Sequence, residues 1–586
     1  MTLPEVIREK LLFELERQGV EGEMLKRVAV VPTADLQHGD YQSNAAMMLA
    51  KMAKRNPREL ATGVKEGLDE SLEGVASCEI AGPGFLNFRV LEGEFVRRLG
   101  VVGQDERFGC PEVQESQTIV LDFSAPNVAK PMHVGHIRST VIGESLARIA
   151  TFLGHRVIRD NHIGDWGTQF GMVLWAWKKG VDEAALEEEP LRELLRLYRL
   201  GSSASKGDEG TADDCRNELV KLQQGDAENR GIWERCVALS KEGLERIYAR
   251  LDVSFDCWLG ESFYNAELAG LVESLIEGGF ARESEGAICV FSGGGSEPKK
   301  DPYLKKGEDG FEDYPLIVRK RDGGFNYATT DIATIDYRLR EWEAEQIWYV
   351  VDFRQEDHFT RLFDLAKRRG CKAELVHVKF GTILGKDGTP LKTRAGDLPE
   401  LEDVLNDALA AARKSVGEKS LLDDPKEQEE LAELIGLSAI KFMELSHRRE
   451  SDYMYDLEKM VALEGDTAPY LQYSYVRCRS IFRKLEEEVE LDGEGLELRE
   501  EREVHLARML VRFGEVVPQV LEDLRPNVLA SYLLELARAY HSFFQACPVL
   551  KSEGAVLKTR LTLCEVTAGV LKKGLGLLGI GVPERM

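Results

Sequence analysis

The stretch that most constrains the fold is TIVLDFSAPNVAKPMHVGHIRSTVIGESLARIATFLG, residues 118–154, because it joins a strand to a helix through a single turn. Residues 118–123 alternate and are rich in β-branched side chains, which is typical of a strand. From Ile137 onward, apolar residues recur at helical spacing and place Val141, Leu146 and Ile149 on or near one face. This order predicts a parallel, doubly wound α/β sheet, in which nucleotides bind at the strand-to-helix turns.

The connecting segment, residues 124–136, is called here the histidine turn. Its helix start offers free N–H groups and a partial positive charge to phosphate, and His133 and His136 project from the same side as further donors. Gly135 leaves room for a flat base near the backbone, and Lys130 adds a full positive charge. The combination predicts binding and polarisation of ATP. A metal site and a pair of core histidines are the alternatives, although no Cys/His cluster accompanies the two histidines.

The length of 586 residues is too great for one core and suggests about four domains. No run reaches the roughly 18 apolar residues of a membrane span, and the acidic N-terminal helix does not resemble a targeting segment. The ten cysteines are scattered singly, so neither a zinc ribbon nor a disulfide framework is indicated. We therefore expect a reduced, cytoplasmic protein with no membrane association and no structural metal.

A net charge of −26 argues at first against a nucleic-acid partner. Two segments, residues 45–57 and 471–484, nevertheless contain several Lys or Arg and no acidic residue. The second also contains Tyr473 and Tyr475, which could stack on bases. On charge alone, a solvated helix face with core tyrosines is the favoured interpretation.

The patterns along the chain predict four parts. Residues 1–112 are predicted to form an α+β domain, and residues 113–400 a Rossmann-like catalytic core with a helical, charged insertion at about 180–300. Residues 401–455 are predicted to be a helical connection, and residues 456–586 an all-α domain. From about residue 400 onward we expect only helices.

Several motifs are similar to those of one enzyme family. HVGH resembles the HIGH signature of class I aminoacyl-tRNA synthetases, and the histidine turn together with NHIGDWGTQFG resembles the arginyl-tRNA synthetases. GDYQSNAAM and GPGFLNF resemble that family's N-terminal tRNA-binding domain. GESFY, FNYATTDIA and FGTILGKDGTPLKTRAG resemble its catalytic core. EGDTAPYLQYSYVRCRSI and VPERM resemble its C-terminal anticodon-binding domain.

The resemblance implies an arginine pocket formed by Asp122, Asn127, Tyr327, Asp331 and Gln355. The chemistry supports Asp331, because a carboxylate can pair bidentately with the planar guanidinium in a way that discriminates against lysine. Tyr327, four residues earlier on a helix, would lie on the same face. A helix cap is the alternative for Asp331, and ordinary turn chemistry around Pro126 is the alternative for Asp122 and Asn127.

One feature departs from class I enzymes in general. The KMSKS loop, whose lysines hold pyrophosphate, corresponds here to GKDGTPLKTR, with Lys386, Lys392 and Arg394 as candidates. The resemblance implies that Lys130, upstream of HVGH, substitutes for the missing lysines. The glycines at 385 and 388 suggest a mobile loop that closes over ATP, or else an ordinary surface hairpin.

The predicted function is arginine–tRNA ligation with ATP and Mg²⁺, with adenylate formation requiring tRNA(Arg) and with a monomer favoured by the resemblance. Arg477, Arg479 and Tyr473 are the predicted tRNA contacts. An adenylyl ligase that does not act on tRNA would not need the two tRNA-binding regions. A catalytically dead tRNA-binding paralogue would have lost the signature histidines, yet both are present.

Overall fold

A computed structural model describes residues 1–52, 54–294, 297–307, 310–391, 398–420, 422–487 and 489–586. The chain divides into two compact units. One contains residues 1–112, 463–576 and 581–586, and the other contains residues 113–462 and 577–580. Among the described residues, no helix has the length and apolar character needed to cross a membrane.

The first unit begins with a small α+β fold, as predicted. Its elements are α1 (Leu3–Arg17), β1 (Val31–Pro32), β2 (Tyr41–Ser43), α2 (Ala45–Leu49), α3 (Pro57–Ser71), β3 (Ala76–Ala81), β4 (Phe85–Val90) and α4 (Glu92–Gly103). The strands form an antiparallel sheet in the order β1-β2-β4-β3. Thr2 caps α1 through a capping box with Glu5, so the N–H groups of the first turn have partners.

The second unit begins with β5 (Thr118–Asp122), α5 (Gly135–Phe152) and β6 (Arg156–Asp160). The insertion follows as α6 (Thr168–Gly180), α7 (Glu183–Glu188), α8 (Pro190–Gly207), α9 (Glu209–Gln223), α10 (Ala227–Arg250) and α11 (Leu268–Glu277). Next come β7 (Ala281–Ser284), β8 (Ala287–Val290), β9 (Leu304–Lys306), β10 (Phe311–Asp313) and β11 (Leu316–Arg319).

The rest of the second unit returns to the central sheet and then becomes mainly helical. It comprises α12 (Tyr327–Glu341), β12 (Gln346–Tyr349), α13 (Glu356–Arg368), β13 (Glu374–His377), β14 (Ile383–Leu384), α14 (Leu401–Lys419), α15 (Pro425–Ser446), β15 (Tyr453–Met454) and α16 (Leu457–Met460).

The central sheet has the order β13-β12-β5-β6, and all its neighbouring strands are parallel. The chain leaves β5 toward β6 on one side, whereas β12 lies on the other side. The carboxyl ends of β5 and β12 therefore mark a switch point, where doubly wound folds form a binding crevice. Val120 and Ile347 pack with α12 and α13, and the alternate residues Ile119 and Leu121 are also buried, so both sheet faces are covered. The predicted Rossmann-like core is confirmed.

Two predictions about secondary structure are wrong in part. The insertion is helical to Arg250, but its last part contains β7 and β8, which form an antiparallel sheet with β11. β7 and β8 pair with each other across a two-residue turn, and β8 also pairs with the more distant β11. Strands of four residues carry little periodicity signal. Likewise, β15 interrupts the helices after residue 400 by pairing with β14, and a two-residue strand has no detectable periodicity.

The first unit is completed by α17 (Ala468–Phe482), α18 (Glu501–Val511), α19 (Phe513–Asp523), α20 (Asn527–Ala546) and α21 (Gly554–Leu577). These helices confirm the predicted all-α C-terminal domain.

Candidate active site at the strand-to-helix turn

The histidine turn follows β5 at the switch point and has an unusual backbone. Ser124, Ala125 and Ala129 have φ values of 68°, 44° and 62°, in the left-handed region that non-glycine residues rarely occupy. Such conformations persist where the surrounding structure compensates for their cost, and they concentrate at functional sites.

A buried polar network holds this backbone in place. The Ser124 N–H donates to Ser139 Oγ at 2.8 Å, and Ser124 Oγ lies 2.7 Å from the Tyr248 hydroxyl. Asn161, directly after β6, accepts from the Ala125 N–H at 3.2 Å and donates to Tyr248 at 3.1 Å. The turn is therefore shaped by α5, α10 and the end of β6. Nothing in the sequence marked Tyr248 or Asn161 for this role.

The rings of His133 and His136 lie against each other and form hydrogen bonds with the backbone of the turn. His133 Nδ1 accepts from the Gly135 N–H at 3.1 Å, His136 Nδ1 accepts from the His133 N–H at 3.0 Å, and the ring centroids are 3.9 Å apart. Burial lowers the pKa of both imidazoles, that of His136 to about 3. Neutral imidazoles whose Nδ1 accepts carry their proton on Nε2. The His133 ring can therefore donate an Nε2–H to a phosphate oxygen without itself being charged. His136 Nδ1 also lies 3.2 Å from the His133 carbonyl, to which it donates in the other tautomer.

Because Gly135 has no side chain, there is room for the His133 ring beside its backbone. A Cβ at Gly135 would lie 2.9 Å from two atoms of that ring, closer than Cβ contacts normally allow. That this glycine also lets a base approach the backbone stays a prediction.

Two basic residues belong to the segments at the switch point: Lys130 follows β5 and Arg354 follows β12. Lys130 Nζ is 3.9 Å from the ring centroid of Tyr198 on α8. Arg354 follows β12 and is fixed by a bidentate contact with Asp352 at 2.8 Å. After burial, which is the main cause, the charges of Arg354 and Lys130 also lower the pKa of His133. Arg354 was not predicted from the sequence; the signal that could have found it is its place after β12, the other strand of the switch point.

The loop that corresponds to KMSKS precedes a segment that is hydrogen-bonded to the histidine turn. The Gly385 N–H donates to the Thr389 carbonyl at 2.7 Å, which makes a tight hairpin with Lys386 exposed at its tip. The predicted candidates Lys392 and Arg394 lie outside the described residues. Beyond them, the chain pairs with the histidine turn, because the Val134 N–H donates to the Pro399 carbonyl at 2.9 Å.

Tyr327 and Asp331 both contact His358, which was not predicted from the sequence. His358 Nε2 on α13 lies 2.6 Å from Asp331 Oδ2, and the rings of His358 and Tyr327 are 4.8 Å apart. Asn326 is the N-cap of α12, so Asp331 does not cap this helix. Its carboxylate remains 21% exposed and Tyr327 is 56% exposed, so both are accessible to a ligand.

A second carboxyl group, that of Glu261, interacts electrostatically with Asp331. Burial raises the pKa of Glu261; His162 opposes this rise, and the nearby Asp331 and Asp165 add to it. Carboxylates crowded together in this way favour a cationic ligand. Glu261 belongs to the GESFY motif, which carried the resemblance but received no assigned role in the sequence analysis.

The other three predicted arginine contacts have different surroundings. The Asp122 carboxylate is paired with the buried guanidinium of Arg338 at 2.6 Å, and Arg338 also holds Asp160 at 2.8 Å. Asp122 is thus bound to the chain's own arginine, within the floor of the crevice. Asn127 is exposed and its backbone bridges to Gly164, whereas Gln355 is exposed in the turn before α13.

The predicted tRNA contacts lie on α17. Arg477 stacks over the rings of Phe544 and Tyr473, 4.5 Å and 5.6 Å from their centroids, and Tyr473 is 41% exposed. Arg479 pairs with Glu565 at 2.6 Å. The suggestion that Tyr475 stacks on bases is wrong, because only 4% of this residue is exposed.

Family comparisons cover most of the chain. Residues 100–457 match the family described as tRNA synthetases class I (R), catalytic domain. Residues 471–586 match the DALR anticodon binding domain, and residues 5–90 match the arginyl tRNA synthetase N terminal domain.

Individual relatives agree with these matches. The chain is 41% identical to the arginine–tRNA ligase of Crocosphaera subtropica over 94% of both chains, and 39% identical to that of Cellvibrio japonicus over the full length of both. The crystal structure of arginyl-tRNA synthetase from Plasmodium falciparum superposes over all of both chains with a TM-score of 0.80 at 26% identity. The Thermus thermophilus arginyl-tRNA synthetase shares the fold, with a TM-score of 0.81 over all of both chains at 24% identity.

Proposed function

The chain belongs to the arginyl-tRNA synthetase family, and from this membership we propose which of its residues join arginine to tRNA(Arg) with ATP. The observation that carries the assignment is the pair of neutral histidines at the start of α5, of which His133 has an Nε2–H available, with Lys130 three residues before it.

In the first reaction, the arginine carboxylate attacks the α-phosphate of ATP, the bond to pyrophosphate breaks, and arginyl-adenylate forms. The carboxylate is already ionised near neutral pH, so the step needs no general base. Catalysis then consists of positioning and of stabilising the charge that develops on the phosphates. We assign the stabilisation to His133, His136 and Lys130, with Lys386 and Lys392 of the loop in a smaller role.

The guanidinium of the substrate is held by Asp331, with Tyr327 beside it. The carboxylate of Asp331 accepts two N–H groups from the planar fork, which a lysine ammonium cannot present in the same geometry. Glu261 is a second carboxyl group near Asp331; burial raises its pKa, and a bound guanidinium would favour its ionised form. Asn127 and Gln355 complete the pocket. Asp122 contributes through its ion pair with Arg338.

In the second reaction, a hydroxyl of the 3′ terminal ribose of tRNA(Arg) attacks the arginyl carbonyl and AMP leaves. Residues 456–586 bind the anticodon region, with Arg477, Arg479 and Tyr473 among the contacts. Residues 1–112 form an additional tRNA-binding domain, and residues 401–455 connect the catalytic and anticodon-binding regions.

We propose that Mg²⁺ enters with the nucleotide and neutralises part of the phosphate charge. The described residues contain no group of three or more His, Cys, Asp or Glu side chains arranged for a metal ion, and Mg²⁺ is commonly held by substrate phosphates. We also propose a monomer in the cytoplasm, where the ten free cysteines would stay reduced.

Arginine-dependent exchange of pyrophosphate into ATP tests the proposal. The full chain is assayed with arginine, with lysine and with citrulline, which has the shape of arginine without its charge, each in the presence and absence of tRNA(Arg). We expect exchange with arginine alone, and only when tRNA is present. Equal exchange with citrulline would contradict the charged pocket, and exchange without tRNA would contradict the coupling.

A further inference from the structure

Tyr198, in the helical insertion, contacts Lys130 of the histidine turn. Its ring, on α8, lies under the ammonium of Lys130, with Nζ 3.9 Å from the ring centroid. A cation within about 6 Å of an aromatic centroid is attracted by the ring quadrupole, and this one is near contact distance. Both side chains are half-buried.

The ring is placed by the core of the insertion. Leu194 and Leu197, on the same face of α8 as Tyr198, are buried in one cluster with Val128 and Ala129 of the histidine turn. The Ala129 N–H also donates to Ser240 Oγ on α10 at 3.1 Å. The insertion therefore supports both the backbone next to Lys130 and the ring that contacts its ammonium.

The lysine needs such support. Its charge sits at the end of a flexible four-carbon stem, so an unsupported ammonium samples many positions. Catalysis by electrostatic stabilisation requires a donor that is already in place when charge develops. The contact with Tyr198 limits the positions that the ammonium can take beside the histidine turn.

We propose that Tyr198 is a positioning residue for the activation step, and that its ring holds Lys130 ready for the phosphates of ATP. The inference rests on the role of Lys130 in the proposed function and extends it to α8. The helical insertion thereby contributes to the activation step as well as to packing.

A double-mutant cycle tests the inference in the full-length chain. Arginine-dependent ATP–pyrophosphate exchange is measured with tRNA for the wild type, Lys130→Ala, Tyr198→Leu and the double variant, with Tyr198→Phe as matched control. We expect Lys130→Ala to slow exchange by about 10²–10³-fold and Tyr198→Leu by about 3- to 30-fold, with the arginine KM unchanged. Tyr198→Phe should stay within about twofold of the wild type, because it keeps the ring. The double variant should be no slower than Lys130→Ala, because the ring then has no cation to hold.

A second variant separates electrostatics from packing and is informative even if Tyr198→Leu folds poorly. Replacing Tyr198 by 4-cyanophenylalanine keeps the ring but withdraws electron density from its face. We expect slower exchange than in Tyr198→Phe at the same melting temperature. Equal rates for these two variants would show that the ring only fills space, and would overturn the inference.

The remaining outcomes separate the inference from the proposed function. If Lys130→Ala is slow but Tyr198→Leu matches the wild type, the positioning role is overturned and the proposed function stands. If the losses multiply in the double variant, Tyr198 acts independently of Lys130 and the inference also fails. If Lys130→Ala itself matches the wild type, the assigned role of Lys130 is wrong, and the inference falls with it.

Discussion

At the scale of single residues, Asp331 is the group whose charge we propose to define which amino acid is accepted. It lies on α12 with its carboxylate 2.6 Å from His358 Nε2, close to the exposed ring of Tyr327. A hydrogen bond to a charged group contributes roughly 1.5–3 kcal/mol. We therefore expect Asp331→Asn to raise the arginine KM by at least about tenfold and to leave the ATP KM nearly unchanged.

The same helix offers a control for this substitution. Asp336 pairs with Arg369 at 2.8 Å, in a partly exposed ion pair away from the proposed pocket. Asp336→Asn should change neither KM, because such pairs contribute little. An unaltered arginine KM in Asp331→Asn, measured by steady-state aminoacylation, would remove Asp331 from the pocket.

At the scale of elements, the histidine turn and the loop after β14 are the two segments that we propose to stabilise pyrophosphate. Lys130 belongs to a turn held by buried hydrogen bonds, whereas Lys386 is exposed at a hairpin tip. Losing a preorganised donor typically costs about 10²–10³ in kcat. We expect Lys130→Ala to lose about that much in the activation step, with tRNA affinity kept, and Lys386→Ala to lose less.

Pre-steady-state rates of adenylate formation compare the two elements directly. A larger loss in the rate of adenylate formation in Lys386→Ala than in Lys130→Ala would mean that the degenerate loop still holds pyrophosphate. If Lys130 merely made a surface ion pair, its removal would cost under about 1 kcal/mol of stability and little activity.

The helix α17 supports a separate prediction about tRNA. Arg477 is stacked over Phe544 and Tyr473, and its charge is not neutralised by these rings, whereas Arg479 shares its charge with Glu565. Removal of one cation that binds a phosphate lowers the slope of log affinity against log salt by roughly 0.7–0.9. We expect Arg477→Ala and Arg479→Ala to weaken tRNA(Arg) binding and to flatten its salt dependence, with the larger effect at Arg477.

Binding titrations at roughly 50 mM and 200 mM salt test this pair of variants. Arg499→Ala is a suitable control, since Arg499 is an exposed residue of the same unit that pairs locally with Glu497. If Arg477→Ala and Arg479→Ala both bind tRNA like the wild type at both salt concentrations, α17 presents ordinary solvated surface.

At the scale of the whole molecule, residues from the two ends of the chain meet within one compact unit. The Tyr41 hydroxyl donates to Glu515 Oε1 at 2.7 Å, and Arg508 contacts Asp40 at 2.6 Å. Burial raises the pKa of Glu515 from 4.5 to about 7. This carboxyl therefore favours its protonated form in the folded state, and its ionisation is a cost at higher pH.

The sign of the pH dependence follows from this shift. The folded state binds an extra proton between the unfolded pKa of 4.5 and the folded value of about 7, so stability falls as pH rises across that window. Glu515→Gln keeps an acceptor for Tyr41 but cannot ionise. We expect the variant to gain up to roughly 3 kcal/mol over the wild type between about pH 5 and about pH 8, measured by denaturant unfolding. Parallel pH profiles for the two proteins would contradict the buried, ionising carboxyl.

The sequence by itself determined the elements whose information is local. The alternating strand before residue 123 and the helical spacing after Ile137 were sufficient to predict β5, α5 and the parallel sheet. The histidines and Lys130 were also visible, because they lie within a few residues of each other in one turn, whereas Tyr327 and Asp331 were identified from the family resemblance.

Only the tertiary structure decided what lies beside these residues. Tyr198, Glu261 and His358 approach the site from segments distant in sequence, and the pairing of Asp122 with Arg338 joins β5 to a helix more than two hundred residues later. The strand β15 and the pairing of β8 with β11 likewise exist through partners elsewhere in the chain. The physical reason is that burial, ion pairing and strand pairing depend on distance in space, whereas periodicity records only distance along the chain.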